Sequence, residues 1–343
     1  MTVKIIAGDC RTVLKTLPDE SVHCVVTSPP YFGLRDYGMA DQIGLEQTPQ
    51  AFVDELVAVF REVRRVLRSD GTLWLNLGDS YATGAGGVGD CPGGGKQGES
   101  WKQRGKMTPP NRLPLPGLKP KALIGIPWRV AFALQADGWW LRQDIIWHKP
   151  NPMPESVRDR CTKAHEYLFL LAKSERYYFD ADAMQEPSFA KNAHDATGGF
   201  IAGQVPGQPP QSGTRKSGNK ERKPASARGV PVDTGGKSAG AVAGSVPWEG
   251  ATRNKRSVWT IATQPYSEAH FATFPPALIE PCIKAGCPEG GTVLDPFAGA
   301  GTTGLVADRL QRNALLIELN PAYIEIAERR IRGDAPLFAE VAA

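Results

Sequence analysis

The sequence lacks the features that mark membrane and secreted proteins. None of its apolar runs approaches the roughly 18 consecutive residues that a membrane-spanning helix requires. Its N-terminus lacks the basic and then apolar segments of a secretory signal. Its six cysteines include no CxxC pair, which argues against a zinc site and a disulfide framework. We therefore expect a soluble, intracellular protein with reduced cysteines and no metal site.

The chain also has little net charge, but that charge is unevenly distributed. The formal net charge is +4, whereas residues 96–121 carry +6 and residues 191–256 carry +7, so the remainder carries −9. A mildly acidic body with two basic segments is typical of an enzyme that binds a polyanion, because phosphate contacts need local positive charge. The alternative is that both segments are solvated loops.

The N-terminal half alternates between strand and helix patterns. Residues 49–67 place Phe52, Leu56 and Phe60 on one helical face, and Ser69-Asp70-Gly71 is predicted to end that helix. The other predicted elements are strands at 3–8, 21–28, 72–77, 141–148 and 166–173 and helices at 10–18 and 128–136. Residues 83–120 and 191–250 are rich in Gly and Pro and are predicted to be inserted segments.

The C-terminal part is a short α/β unit. It contains a strand at 292–297, a helix at 302–310, a strand at 314–319 and a helix at 321–331. Two strands are too few for a doubly wound sheet, so the N-terminal half must supply the others. The sequence therefore predicts one Rossmann-like α/β sheet, with helices on both faces, assembled from both chain ends. Residues 3–7 should lie beside the strand at 314–319.

A Gly-rich turn follows the strand at 292–297. Gly299, Gly301 and Gly304 lie between a strand and a helix, and Glu318 ends the next strand 19 residues after Gly299. This spacing is typical of a site for a nucleotide cofactor, where glycines admit the ligand and the carboxylate binds the ribose diol. The pattern alone does not separate a nicotinamide cofactor from S-adenosylmethionine. Asp295 favours the latter, because its carboxylate suits an amino group and would repel a pyrophosphate. A purely structural tight turn is the remaining alternative.

The second motif is Thr27-Ser28-Pro29-Pro30-Tyr31 at the end of a predicted strand. The prolines remove backbone donors, which leaves the Ser28 hydroxyl and the Pro29 carbonyl as acceptors for one amino group. Two such acceptors would orient the nitrogen lone pair towards an electrophile. Tyr31 offers a flat face for a base extruded from a duplex. An ordinary Pro-Pro turn after a strand is the structural alternative.

Together these motifs resemble the exocyclic-amino DNA methyltransferases, specifically the permuted group in which the catalytic motif precedes the cofactor motif. The resemblance covers nearly the whole chain apart from the two insertions. It implies an enzyme that uses S-adenosylmethionine and carries Ser28, Pro29, Pro30 and Tyr31 at its catalytic positions. It also implies cofactor-binding residues near the methionine end, the ribose, the adenine and a closing segment at 269–275. These residues are Asp295, Phe297, Gly299, Gly301, Thr302, Glu318, Asp9, Cys10, Phe271 and Phe274.

The resemblance also bears on the target base. In the family, Ser at the first catalytic position is usual for N4-cytosine enzymes, and Asp or Asn for N6-adenine enzymes. Ser28 therefore favours cytosine N4, with adenine N6 as the alternative, because every one of these side chains offers an oxygen acceptor. An NAD-dependent oxidoreductase is a remote alternative that leaves the Ser-Pro-Pro-Tyr loop unexplained. The amine is itself the nucleophile, so the reaction requires no metal and no covalent enzyme intermediate.

The remaining expectations concern domains and partners. Four regions are predicted: 1–182 as the N-terminal half of the catalytic domain with a basic insertion at 83–122, 183–262 as the target-recognition region, 263–333 as the cofactor-binding half, and 334–343 as a tail. Residues 32–38 are predicted to be either a lid or wedge into DNA, or a packed surface loop. Candidate DNA contacts are Arg35, Lys216, Arg222, Lys223, Arg253 and Lys255. The expected partner is double-stranded DNA in a prokaryotic cytoplasm, where the gene is of host or phage origin. A homodimer and a cognate restriction endonuclease are further candidate partners.

Overall fold

The computed structural model describes residues 1–39, 41–82, 115, 117–187, 252–264, 273–334 and, for the backbone, 340–342. Predictions for the two low-complexity insertions therefore lie largely outside the described residues. So do those for Phe271, Lys216, Arg222 and Lys223.

The described residues form the following elements. The helices are α1 (Cys10–Thr16), α2 (Pro49–Val66), α3 (Ile126–Ala136), α4 (Pro276–Gly286), α5 (Thr302–Arg309) and α6 (Pro321–Asp334), with a short 3₁₀ helix at Asp182–Met184. The strands are β1 (Thr2–Ala7), β2 (Val22–Thr27), β3 (Leu67–Leu77), β4 (Trp140–His148), β5 (His165–Ala172), β6 (Gln185–Pro187), β7 (Thr252–Asn254), β8 (Val258–Thr260), β9 (Thr292–Asp295), β10 (Asn313–Glu318) and β11 (Glu340–Ala342).

Nine of the described strands form one sheet in the order β11-β1-β10-β9-β2-β3-β5-β4-β8, while β6 and β7 form a two-stranded sheet. The strands from β11 to β3 are mutually parallel, and β5 is antiparallel to both of its neighbours. Val3 pairs with Ala314 and Cys24 with Val293, so the two chain ends interleave. This pairing confirms the predicted sheet and the predicted neighbour of β10.

Helices cover both faces of the large sheet. One core cluster joins α1, α2 and α3 to the sheet, and the other joins α4, α5 and α6. Successive strand residues alternate between the clusters, as Val25 and Val26 of β2 do. Helix α2 begins where the Thr48 hydroxyl accepts from the Ala51 backbone N–H, at 3.1 Å, and Pro49 occupies its first turn. The predicted apolar face of α2 is buried, including Phe52, Leu56 and Phe60.

One local prediction was wrong, and one helix was not predicted. Ser69-Asp70-Gly71 does not end α2: the helix stops at Val66, and β3 begins at once with Leu67 paired to Val22. Gly71 instead lies inside β3, where the Leu67 side chain and the His23 carbonyl leave no room for a Cβ. Helix α4 was not predicted. Its Pro276 and Pro281 resemble breakers, yet Pro276 occupies the first turn and Pro281 is accommodated inside the helix.

By their contacts, residues 1–185 with 254–343 form one compact unit and residues 186–253 form another. Among the described residues, no helix is long and apolar enough to cross a membrane. The same residues contain no cluster of three or more potential metal ligands.

Candidate active site

The parallel strands bring both sequence motifs to one edge of the sheet. The chain runs from β9 through α5 to β10 on one side and from β2 through α2 to β3 on the other, so β9 and β2 flank the point where the strand order reverses. Ligands of open α/β sheets bind outside the carboxyl ends of the strands at such a point. The catalytic loop follows β2 and the Gly-rich turn follows β9, so the two motifs are neighbours there.

Asp295 links the two motifs directly. Its Oδ1 accepts a hydrogen bond from the Thr27 hydroxyl at 2.6 Å and from the Phe297 backbone N–H at 3.0 Å. Its Oδ2 accepts from the Thr303 hydroxyl at 2.6 Å. Burial raises the pKa of Asp295 to about 6, although these hydrogen bonds oppose the shift. The Asp295 carboxylate therefore joins β2 to the Gly-rich turn, and it already accepts from three protein donors.

The glycines of the turn have different environments. Gly299 and Gly301 have φ values of +51° and +73°, in the left-handed region. A Cβ at Gly299 would meet no atom within 4 Å, whereas one at Gly301 would lie 2.8 Å from the Ala327 Cβ. Gly301 is thus required for packing against α6, and Gly299 borders open space. Thr302 begins α5 and accepts a hydrogen bond from Arg330 at 2.8 Å, and Phe297 packs partly buried against the core.

Two further carboxylates lie at the ends of β10 and β1. Glu318 accepts from the backbone N–H groups of Gly299 and Asn320, each at 2.8 Å, and burial raises its pKa. Asp9 caps α1 and pairs with Arg11. Hydrogen bonds from Arg11 lower the pKa of Asp9 although its partial burial opposes this. The neighbouring Cys10 is buried, which raises the pKa of its thiol to about 12. The side of the edge formed by β9, β10 and β1 is therefore acidic.

In the catalytic loop, Ser28, Pro30 and Tyr31 are partly exposed and Pro29 is buried. The Tyr31 hydroxyl donates to Glu166 Oε2 at 2.7 Å, with Asn76 Oδ1 as a longer acceptor at 3.1 Å. Burial raises the pKa of Tyr31 well above its ordinary value, and the nearby Glu166 adds to the shift. The phenol therefore stays protonated and donates at every physiological pH.

Sequence reasoning missed the partners of Tyr31. Asn76 lies in β3 and Glu166 in β5, far from the loop in sequence. Lys149 follows β4 and forms an ion pair with Glu166. The one available signal was a charged residue, Glu166, at the start of an otherwise apolar strand. The identity of its partner depends on the order of the strands, which no local pattern reveals.

The segment after the catalytic loop is packed at its start. Phe32 is buried against Phe52, with ring centroids 5.6 Å apart, while Leu34 is exposed. Tyr37 lies edge-on to Tyr323 at 6.4 Å. Burial raises the pKa of Tyr37, and neighbouring Arg35 opposes that shift. The start of this segment thus joins the core, and Arg35 lies close to Tyr37.

The other described candidates make contacts of their own. Arg253 pairs with Glu186 at 2.9 Å, and Lys255 Nζ lies 5.0 Å from the centroid of the Trp259 ring. Phe274 packs partly buried against the core cluster of α4 to α6. The structure thus brings the catalytic loop, the Gly-rich turn, Glu318 and Asp9 to one edge, and none of these contacts links Phe274, Arg253 or Lys255 to that edge.

Comparison with known proteins identifies similar chains. A family model of the N6 and N4 methyltransferases, described as DNA methylase, matches residues 22–329. The type II methyltransferase M.XycI of Xanthomonas campestris pv. cyanopsidis is 43% identical over 341 residues, covering 98% of this chain and 90% of the relative. M.SmaI of Serratia marcescens, also a type II methyltransferase, is 43% identical over 333 residues, covering 96% and 90%.

Solved structures share the fold at lower identity. PvuII DNA methyltransferase, which is cytosine-N4-specific, has a TM-score of 0.57 at 19% identity, covering 96% of this chain and 87% of its own. TTHA0409 from Thermus thermophilus, complexed with S-adenosyl-L-methionine, has a TM-score of 0.56 at 23% identity, covering 99% and 100%.

Proposed function

Since the chain belongs to the N6/N4 DNA methylase family, we propose that it transfers the methyl group of S-adenosylmethionine to the N4 amino group of cytosine in a specific duplex sequence. One observation carries the proposal: the Ser-Pro-Pro-Tyr loop and the Gly-rich turn share one sheet edge and are joined by the Thr27–Asp295 hydrogen bond. Type II DNA methyltransferase activity follows from the family. Membership of this family rules out the NAD-dependent oxidoreductase considered above.

The acidic side of the edge supports S-adenosylmethionine as the cofactor. Gly299 borders open space where a ligand can approach the backbone. Glu318 suits the ribose diol, and Asp9 and Cys10 flank the adenine position. The carboxylates Asp9, Asp295 and Glu318 would repel a pyrophosphate but not a cationic sulfonium with its amino group. When bound, S-adenosylmethionine supplies an electrophilic methyl group. Phe297, Gly301, Thr302, Phe271 and Phe274 complete the proposed cofactor site.

The catalytic loop supplies orientation rather than covalent chemistry. Pro29 and Pro30 offer no backbone N–H, so the amino group of the target base meets only acceptors there. The Ser28 hydroxyl oxygen and the Pro29 carbonyl each accept one of its hydrogens. The nitrogen lone pair then points away from the loop, towards the cofactor side. Tyr31 stacks on the extruded base, which must leave the duplex before its amino group is accessible. Holding the reactants in this geometry is the main catalytic contribution.

The preference for cytosine rests on Ser28 at the first catalytic position. PvuII DNA methyltransferase, whose fold is shared, acts on cytosine N4. N6-adenine remains the alternative product. The deciding experiment is methylation of plasmid DNA with the purified protein, digestion to nucleosides and mass analysis. N4-methylcytosine is the expected product; N6-methyladenine would overturn the base assignment, and no methylated nucleoside would overturn the function.

The proposed DNA contacts come from the basic residues. They are Arg35, Lys216, Arg222, Lys223, Arg253 and Lys255, with residues 183–262 as the target-recognition region. A cognate restriction endonuclease and a homodimer remain proposed partners. Dependence of DNA affinity on salt concentration measures how many phosphate contacts these residues make.

A further inference from the structure

A partly buried ion pair contacts the hydroxyl group of Tyr31. Glu166 uses one carboxylate oxygen to accept from the Tyr31 hydroxyl at 2.7 Å and the other to pair with Lys149. Only 16% of the Glu166 side chain and 18% of the Lys149 side chain are exposed. A pair so withdrawn from water interacts more strongly than an exposed one, and its geometry must be well satisfied to offset desolvation.

Both members of the pair are themselves held in place. The Lys149 backbone N–H donates to the Ala164 carbonyl at 2.8 Å, which closes the loop between β4 and β5. Lys149 Nζ also lies 4.2 Å from the centroid of the Trp147 ring, within cation–π range. The carboxylate of Glu166 therefore has a fixed position and a neutralising partner before any substrate binds.

The Tyr31 ring is restrained at two points. Its hydroxyl is held by Glu166, and Asn76 is oriented as a second acceptor because its amide donates to the Tyr167 carbonyl at 3.1 Å. Its edge lies against Gly78, where a Cβ would come within 2.4 Å of Tyr31 Cε2. A phenylalanine would keep the second restraint and lose the first. A charge-assisted hydrogen bond to Glu166 is stronger than one to a neutral acceptor.

From these contacts we propose that Glu166, neutralised by Lys149, is a positioning residue that sets the plane of the Tyr31 ring for stacking on the extruded base. The inference rests on the proposed function but not on the identity of the base, since cytosine and adenine both present a flat face. In this proposal Glu166 and Lys149 are not catalytic residues. Both act through Tyr31.

A double-mutant cycle between Glu166→Gln and Tyr31→Phe tests the proposal. We expect Glu166→Gln to slow single-turnover methyl transfer by about 10-fold, the effect of weakening one hydrogen bond to a charged group. The dissociation constant for S-adenosylmethionine should change less than about twofold. In the Tyr31→Phe background the same substitution should have almost no further effect, because the hydroxyl through which Glu166 acts is gone.

A second readout reports on the ring itself. A fluorescent base analogue at the target position should give altered emission in the Glu166→Gln complex and wild-type emission in a Glu20→Gln complex. Glu20 is a matched control, since it pairs with Lys173 at 3.2 Å beyond the opposite end of β5. Lys149→Arg keeps the positive charge and should retain most activity, whereas Lys149→Met should resemble Glu166→Gln.

Three outcomes would overturn the positioning role. The first is a wild-type rate of methyl transfer for folded Glu166→Gln. The second is a double variant whose rate falls by the product of the two single effects. The third is a loss of cofactor affinity in Glu166→Gln as large as its loss of rate. All of these require an active wild-type protein. If the wild type methylates no base in duplex DNA, the proposed function fails instead, so the two failures are distinguishable.

Discussion

The carboxylates on the two sides of the site edge differ in how their charge is balanced. On the side of β9, β10 and β1, the carboxylates of Asp295, Glu318 and Asp9 accept hydrogen bonds from the protein, and among the described residues only Asp9 of these three has a cationic partner. On the side of β3, β5 and β4, Glu166 is neutralised by Lys149. Under the proposed function, the first side suits a cationic cofactor and the second a neutral base. Cofactor affinity and base positioning should therefore respond to different substitutions.

The largest expected effect is a loss of methyl-transfer activity without a loss of affinity for the cofactor. Ser28→Ala combined with Tyr31→Ala removes an acceptor and the stacking surface. The transfer of labelled methyl groups to duplex DNA should fall by at least roughly 100-fold. Calorimetry should give a cofactor affinity within about twofold of the wild type. Ser21→Ala, whose lost hydroxyl donates to the Pro18 carbonyl, is the control. A double variant that retains the wild-type rate would refute the catalytic assignment.

The second effect is a pH dependence of stability that arises on the acidic side. The pKa of Asp295 is about 6 in the folded state, against an ordinary value of 3.8 for an aspartate side chain. A raised folded pKa stabilises the protein below pH 3.8, and this contribution is lost as the pH rises through about 6. The loss amounts to about 3 kcal/mol.

Urea unfolding between about pH 4 and pH 7 measures this contribution. The free energy of unfolding of the wild type should decline with pH relative to that of Asp295→Asn. Asp54→Asn, on the exposed side of α2, should follow the wild type. Parallel curves for the wild type and Asp295→Asn would contradict the assignment.

The third prediction distinguishes the roles of Gly299 and Gly301 in the Gly-rich turn. Alanine at either position incurs strain of roughly 1–2 kcal/mol from its left-handed backbone. Gly301→Ala also forces a contact with Ala327, so its melting temperature should fall further than that of Gly299→Ala. Gly299→Ala places its methyl group towards open space and should weaken cofactor binding more than it weakens the fold. Equal melting temperatures for the two variants would contradict the packing role of Gly301, because α6 would then shift at no cost to make room for the methyl group.

The smallest effect concerns Glu318, the proposed ribose ligand. Glu318→Gln replaces one acceptor oxygen with a donor, and we expect about a 10-fold weaker affinity for S-adenosylmethionine with unchanged affinity for DNA. Isothermal calorimetry and a fluorescence anisotropy titration measure the two affinities. Glu325→Gln, on the exposed face of α6, is the matched control. An unchanged cofactor affinity would remove Glu318 from the site.

Much of the architecture was predictable because its signals are local. The apolar face of α2, the strands that precede both motifs and the turn glycines follow from short-range patterns, and the incomplete C-terminal unit indicated that β1 lies beside β10. Long-range pairing was not predictable. Nothing near Tyr31 in sequence indicates Glu166 or Lys149. Asp295 was interpreted as a ligand for an amino group, and its bond to Thr27 depends on strand order. Helix α4 was missed because prolines in its sequence resemble breakers.

The pairing of β1 with β10 has a consequence for biosynthesis. Val3 pairs with Ala314, which is translated 311 residues later. Strand β2 likewise pairs with β9, which is translated long after it. Until β9 and β10 leave the ribosome, these N-terminal strands present open edges that can pair with other chains. Contacts of such long sequence separation also form slowly. The proposed cofactor site, whose carboxylates follow or end β1, β9 and β10, therefore forms only after the chain has been synthesised beyond Glu318.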